Sequence, residues 1–208
     1  MAPIDTNDLT ILQGKTFSQV FMWEEKPVVR KPITAISLAG GSPVLSVTGH
    51  GMLNGQRCLV MGAKGMPQIN CPTSKPRKND YVEATVLDAD TVELNAINPY
   101  DDAGRVWPAY TSGGFLQYNT LVNLTGYTAR MDIKDRVGGT ELFSLTTENA
   151  RIVIDTAAKT IMLTIPATDT ELMTFKKGVY DLEMVSATGV VTAISIGTIT
   201  VSREVTTA

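Results

Sequence analysis

The chain has 208 residues, 18 of them basic and 21 acidic, for a formal net charge of −3. Apolar residues make up 43% and charged residues 19%, which excludes a disordered chain, and no Gly-X-Y period or sustained heptad is present, which excludes a rod. Threonine, valine and isoleucine together account for 60 residues, and these side chains, stiff at χ1, favour the pleated strand, so an all-β protein is expected.

The near balance of charge offers no basic surface for sequence-independent nucleic-acid binding. No apolar run approaches the roughly 20 residues of a membrane helix. Residues 1–8 lack a basic stretch followed by an apolar one, so no secretory leader is expected. Two cysteines, Cys58 and Cys71, are too few for a disulfide scaffold, and free thiols in a protein made in the cytosol are expected, with a single bridge between the two as the alternative.

In chain order, the first expected strand is 16–23. It has no neighbour to pair with and must find its partner in the C-terminal part. Residues 33–118 then hold 10 of the 17 glycines, 6 of the 10 prolines, both cysteines and the only histidine, but 17 of the 60 β-branched residues. Short strands are expected there at 44–48, 57–61, 81–87, 91–94 and 106–110. The third and fourth form a hairpin over Asp88-Ala89-Asp90, and the set makes a small barrel. Residues 119–208 hold 35 of the β-branched residues and show a clear period of two. Tyr127, Ala129, Met131 and Ile133 alternate with Thr128, Arg130, Asp132 and Lys134. Strands 151–155 and 159–165 follow, the second burying Ile161, Leu163 and Ile165. Strands 179–185 and 191–202 turn over Ser186-Ala187-Thr188-Gly189. One short helix is expected between these pairs, with Thr168 and Glu171 as a capping box, Leu172 and Phe175 on one side, and Gly178 as its stop.

The shift in composition near Lys31-Pro32 and again near Tyr118-Asn119 predicts two domains. Residues 1–32 plus 119–208 form a discontinuous β-sandwich, and residues 33–118 form an inserted small β-barrel.

Two resemblances refine this division. Gly14-Lys15-Thr16-Phe17, then Asn123-Leu124-Thr125-Gly126-Tyr127-Thr128-Ala129-Arg130-Met131, open one series. Thr168-Asp169-Thr170-Glu171-Leu172, Gly178-Val179-Tyr180-Asp181-Leu182-Glu183, Gly197-Thr198-Ile199-Thr200-Val201 and Glu204-Val205-Thr206 continue it. Together they resemble immunoglobulin-like modules of bacteriophage tail and baseplate proteins. In that pattern the first strand leads almost directly to the Leu-Thr-Gly-Tyr strand, whereas roughly 90 residues intervene here. The second series comprises Val47-Thr48-Gly49-His50-Gly51-Met52-Leu53-Asn54-Gly55-Gln56-Arg57, Met61-Gly62-Ala63-Lys64-Gly65-Met66, Asp88-Ala89-Asp90-Thr91-Val92-Glu93-Leu94 and Tyr110-Thr111-Ser112-Gly113-Gly114. It is similar to the first catalytic-cysteine half-domain of ubiquitin-activating enzymes, a barrel that recurs in phage virion proteins. The adenylation domain and the segment bearing the catalytic cysteine have no counterpart, so the resemblance implies the barrel and not the enzymatic activity.

The chemistry-bearing residues have structural readings. His50 lacks a second histidine for a metal site and is expected to hydrogen-bond its own turn. A nucleophilic cysteine needs a nearby cation or histidine to lower its pKa, and nothing in the sequence brings His50, the lone histidine, to Cys58 or Cys71, so catalysis by either is not expected. Asp88/Asp90 and Asp101/Asp102 lack the spacing of a calcium loop and are expected to stabilise turns. Trp23, Trp107, Tyr110 and Tyr118 each fall near a strand, where packing accounts for them better than sugar stacking does. Lys75, Arg77 and Lys78 form the only basic cluster; a solvated loop is the plain reading of them and contact with an acidic neighbouring subunit the sharper one.

The resemblance therefore implies a non-enzymatic structural component of a tailed-phage virion, without cofactor, metal, nucleic acid or membrane. It would be a homo-oligomeric building block of the tail, baseplate or head–tail region, contacting other virion structural proteins. A capsid decoration or head-fibre protein is the alternative within that class, and a receptor- or glycan-binding module the alternative outside it.

Overall fold

A computed structural model describes residues 5–38, 41–95, 97–101 and 103–203. Glu204, Val205 and Thr206 of the first resemblance, and Asp102 of the second acidic pair, lie outside the described residues. The chain is almost entirely β. Its strands begin with β1 (Asp5–Thr6), β2 (Leu9–Leu12), β3 (Phe17–Phe21), β4 (Glu24–Pro32) and β5 (Ala35–Ser37). They continue with β6 (Val44–Ser46), β7 (Arg57–Met61), β8 (Val82–Val86), β9 (Thr91–Leu94), β10 (Phe115–Leu121), β11 (Thr128–Lys134) and β12 (Glu141–Thr146). After β13 (Ile152–Asp155) and β14 (Thr160–Ile165) comes the helix α1 (Ala167–Glu171), then β15 (Lys177–Val185) and β16 (Val191–Ser202).

Two compact units result, dividing at Trp23/Glu24 and at Thr120/Leu121. The first division lies upstream of the boundary expected at Lys31-Pro32. The reason is β4, which joins the seven-stranded sheet beside β10 and so belongs with the intervening chain. Nothing in its composition marks that allegiance.

The unit built from both chain ends is a β-sandwich. Its larger sheet runs β1-β16-β15-β11-β12, with β2 also on β16, and its smaller sheet runs β13-β14-β3. The expected strand at the chain start pairs antiparallel with β14, Phe17 opposite Ile165 and Phe21 opposite Ile161. Period-two alternation supplies the core. Ala129, Met131 and Ile133 on β11, Ile161, Leu163 and Ile165 on β14, and Leu182 and Met184 on β15 are all buried in one cluster. Trp23 meets Tyr127 edge-on, ring centroids 5.6 Å apart, at the margin of that cluster. The hairpin between β15 and β16 turns at Gly189 with φ 81°.

The expected helix is reduced to five residues, and its capping box does not form. Pro166 is the N-cap, Thr168 lies inside the helix, and no side chain caps it. Pro166 fixes the entry, and its carbonyl accepts from the N–H groups of Asp169 and Thr170. Leu172 is 78% exposed rather than facing the core. Gly178 does not stop the helix but lies within β15, where an added Cβ would meet Ile133 Cγ2 at 2.9 Å.

Strands β1, β2, β4, β5, β10 and β12 had no expectation. For β12 the alternation is blurred, since three adjacent residues, Leu142, Phe143 and Ser144, are all half-buried. Its outer edge is closed by a side chain. The Asn149 carboxamide accepts from the Thr146 N–H at 2.9 Å and donates to the Ser144 carbonyl at 3.1 Å, as the backbone of another strand would.

The other unit is an open, curled sheet in the order β4-β10-β7-β8-β9-β6-β5. Leu45, Val47, Cys58, Val60, Ala84, Val92, Leu94 and Leu116 form its buried centre. The β8–β9 hairpin is present as expected. Residues 106–110 form no strand. Val106 makes a single bridge to Tyr100 and is 55% exposed, and Pro108, with no N–H to give a ladder, interrupts the run.

Gly197 marks a close approach of two backbone segments in the sandwich. A Cβ there would fall 1.8 Å from the Asn7 carbonyl oxygen, where the segment between β1 and β2 crosses β16. Gly197→Ala is expected to lower unfolding free energy by about 2 kcal/mol or more, read by urea denaturation, because backbone rather than a flexible side chain must move. One residue on, Asp8 Oδ1 accepts from the Thr198 N–H at 3.0 Å and its hydroxyl at 2.7 Å. The backbone N–H first, then the hydroxyl, holds this carboxyl below its ordinary value. A depressed carboxyl stabilises the fold above its unfolded pKa and loses that contribution as pH falls through the folded value. Asp8→Asn should therefore flatten the acid limb of a stability–pH curve and leave the alkaline limb unchanged.

Candidate functional site

The curled-sheet unit contains the histidine, both cysteines, the basic cluster and three of the four singled-out aromatics. His50 sits between Gly49 (φ 57°) and Gly51 (φ 68°), a left-handed backbone on both sides that presses the imidazole inward. It is 2% exposed. Nδ1 accepts from the Met52 N–H at 3.0 Å, and Nε2, which must then carry the proton, donates to the Asp88 carbonyl at 2.9 Å. The Tyr118 hydroxyl donates to the carbonyl of His50 itself. His50 thus bonds its own turn, as expected, and in addition ties that turn to the β8–β9 hairpin. Both ring nitrogens are engaged, leaving neither for a metal or a substrate proton.

The acidic pair completes the same knot. Asp88 Oδ1 accepts from the Asp90 N–H at 2.8 Å and Asp90 Oδ1 from the Gly49 N–H at 2.7 Å. The Asp90 N–H, then the Thr91 hydroxyl, keeps the Asp88 carboxyl below its ordinary value. Asp101 likewise accepts from the N–H groups of Ala103 and Arg105, and its carboxylate pairs with the Arg105 guanidinium at 2.8 Å. Among the described residues no group of three or more His, Cys, Asp or Glu side chains gathers where a metal ion could sit.

Cys58 is fully buried on β7, and desolvation, then the nearby Glu24 carboxylate, pushes its thiol up to about 12. That is the reverse of what a nucleophile needs. Cys71 is half-buried, with Sγ 3.4 Å from the Thr73 carbonyl. Both are free thiols.

The basic cluster lies on the turn that leads into β8. Lys75 and Arg77 are exposed and Lys78 is half-buried. The turn is fixed locally: the Arg77 N–H donates to Asp80 Oδ2 at 2.6 Å, and the Asp80 N–H returns to the Arg77 carbonyl at 3.0 Å. Three cations are therefore presented on an ordered backbone, with one carboxylate already among them. Trp107 and Tyr110 pack against the buried centre, and the Tyr110 hydroxyl is committed to the carbonyls of Ile33 and Gly113. Tyr118 is 5% exposed. These rings do not form an open stacking platform.

The sandwich unit adds a residue that sequence reasoning passed over. Arg151 lies over the Phe143 ring, 4.9 Å from its centroid, and pairs with Asp169. They line a shallow cleft of about 330 Å³ with Glu141, Leu142, Met173 and Phe175. Asp169 engages one end of the guanidinium through Nη2, whereas the buried Nε has no hydrogen-bond partner among the described residues. No separation in sequence could have announced it, since Arg151 and Asp169 meet only through the fold.

No protein-family model matches the chain, and no curated protein sequence does.

Two outcomes check this assignment. His50→Ala leaves the buried Met52 N–H without a partner, frees the Asp88 carbonyl and opens a cavity, and should destabilise the chain by about 2–4 kcal/mol in denaturant titration. In native protein a thiol reagent at mildly alkaline pH should label Cys71 alone, with Cys58 reacting only after denaturation.

Proposed function

We propose that the protein is a non-enzymatic structural component of a tailed-bacteriophage virion, an oligomeric building block of the tail, baseplate or head–tail region. The observation that carries this reading is how the two resemblances sort. In the immunoglobulin-like series, Gly14-Lys15-Thr16-Phe17 leads into β3, Asn123–Met131 leads into and opens β11, Gly178–Glu183 lies in β15 and Gly197–Val201 in β16. All fall in the sandwich unit. The barrel-like series falls wholly in the other unit, from the His50 turn and β7 to β9 and the Tyr110–Gly114 segment. Two independent motif sets thus separate along the same division as the fold.

The internal use of reactive side chains supports a structural role. His50 and Asp90 tie the Gly49–Gly51 turn to the β8–β9 turn, Asp88 and Asp101 fasten their own turns, and Cys58 is masked. The mechanism is geometric. Sandwich units pack into a ring or shell, and the ordered Lys75-Pro76-Arg77-Lys78 turn offers cations to an acidic neighbour. Repetition around a symmetric assembly makes individually weak contacts strong in sum.

The test is peptide mass spectrometry of tailed-phage particles purified from cells whose genome or prophage encodes this chain. The protein is expected at structural copy number, and its absence from the particles overturns the reading. Reversing Lys75, Arg77 and Lys78 to glutamate should reduce incorporation and remove its sensitivity to salt. Binding of the isolated protein on a glycan array would favour the receptor-binding alternative instead.

A further inference from the structure

We infer that the free edge of β3 is a self-association site, where a second copy of the chain pairs antiparallel with the first and joins two small sheets into one. This goes beyond the virion reading and does not depend on it.

The direction of each backbone group on β3 follows from its neighbours. The Thr164 N–H bonds the Arg151 carbonyl on the β13 side of β14. Backbone groups alternate along a strand, so Ile161, Leu163 and Ile165 bond the other side, to their opposite numbers Phe21, Gln19 and Phe17. The N–H and C=O groups of Ser18 and Val20 therefore point away from the sheet. Among the described residues only the Gln19 carboxamide meets them, donating to the Val20 carbonyl at 3.0 Å. A groove of about 290 Å³ runs along this edge, between Phe17, Ser18 and Gln19 on one side and Leu9, Thr10 and Leu12 of β2 on the other.

Three other edges of this protein are closed by recognisable devices. β4 carries Lys26, Pro27, Lys31 and Pro32, β12 is capped by Asn149, and β5 has three residues. β3 has no proline, no charge and five residues in regular extension. Its outward neighbours match it. Val153, Met162 and Val20 lie directly across from one another and are 47%, 37% and 50% exposed. The outward side of the larger sheet instead carries Arg130, Asp132 and Lys134 on β11 beside Asp181 and Glu183 on β15.

A two-fold axis through Gln19 satisfies these groups with the strand's own sequence. It sets Ser18 of one copy against Val20 of the other, so each outward N–H finds an outward carbonyl. Phe17 stays beside Phe21 on the core side. Only uncharged residues meet, so a symmetric pairing brings no like charges together. One short ladder buries less than the roughly 800 Å² per partner of a stable interface, so the dimer is weak and reversible.

Sedimentation velocity of the purified full chain over a micromolar concentration series tests this. A reversible monomer–dimer equilibrium is expected. Val20→Pro removes an N–H that bonds nothing among the described residues, and should raise the dissociation constant by more than about tenfold while the circular dichroism spectrum is kept. Should that variant fold poorly, hydrogen exchange of the unaltered protein gives the answer. The Ser18 and Val20 amides are expected to gain protection as concentration rises. A chain monomeric at every concentration overturns the inference. So does a dimer in which these amides stay unprotected, or an edge protected only when an extended segment of another protein is added.

Discussion

The ladder between β3 and β14 is the contact on which the sandwich depends. It brings a strand from the chain start to one that begins at Thr160, and it aligns Phe17 and Phe21 with Ile165 and Ile161 in a single buried layer. Each such side chain contributes about 1.5–3 kcal/mol when removed from water. Loop closure opposes this only slowly, each doubling of the intervening chain costing about 0.6 kcal/mol. That asymmetry is why the whole of Glu24–Thr120 can lie between the two strands. A second tie acts at the chain start, where the Tyr180 hydroxyl donates to the Asn7 carbonyl at 2.8 Å and the Thr198 N–H meets Asp8.

The intervening unit holds itself differently. Its short strands bury a small apolar centre, and polar side chains do the remaining cross-linking. Gln56, 2% exposed, accepts from the Leu53 N–H and donates to the Asn119 carbonyl at 2.7 Å. Gln117 joins Arg30 on β4 to the Tyr81 hydroxyl. Asn70 bonds both the N–H and the carbonyl of Ala63. His50 belongs to this set. A buried polar group is stabilising only when its partners are complete, and completeness is what removes His50 from chemistry. The same residue types that would suggest a reactive centre are here the fasteners of a glycine-rich loop system.

The two units also differ in what they present outward. On the larger sheet of the sandwich, Arg130 pairs with Glu183 at 2.7 Å and Asp132 accepts from the Ser144 hydroxyl at 3.0 Å, a solvated and self-satisfied surface. The smaller sheet shows the row Val153, Met162 and Val20. In the other unit, the turn bearing Lys75, Arg77 and Lys78 is fixed by Asp80, whose carboxylate accepts from the Arg77 N–H.

The sequence by itself determined the all-β class, the alternating strands β11, β14, β15 and β16, the pairing of the first long strand with the C-terminal block, and the turn role of His50. Each of these rests on local periodicity or turn chemistry, which operates within a few residues and is written in the order of side chains. Tertiary structure alone decided the allegiance of β4, the existence of β2, β10 and β12, and the loss of the capping box at Thr168. β4 alternates weakly and is fixed by its neighbour β10, while Pro166 two residues before Thr168 took over the helix start. It also decided that Arg151 meets Asp169 and that His50 reaches Asp88. Those contacts join residues 18 and 38 apart, a separation at which no sequence period survives and only the packing of strands sets the distance.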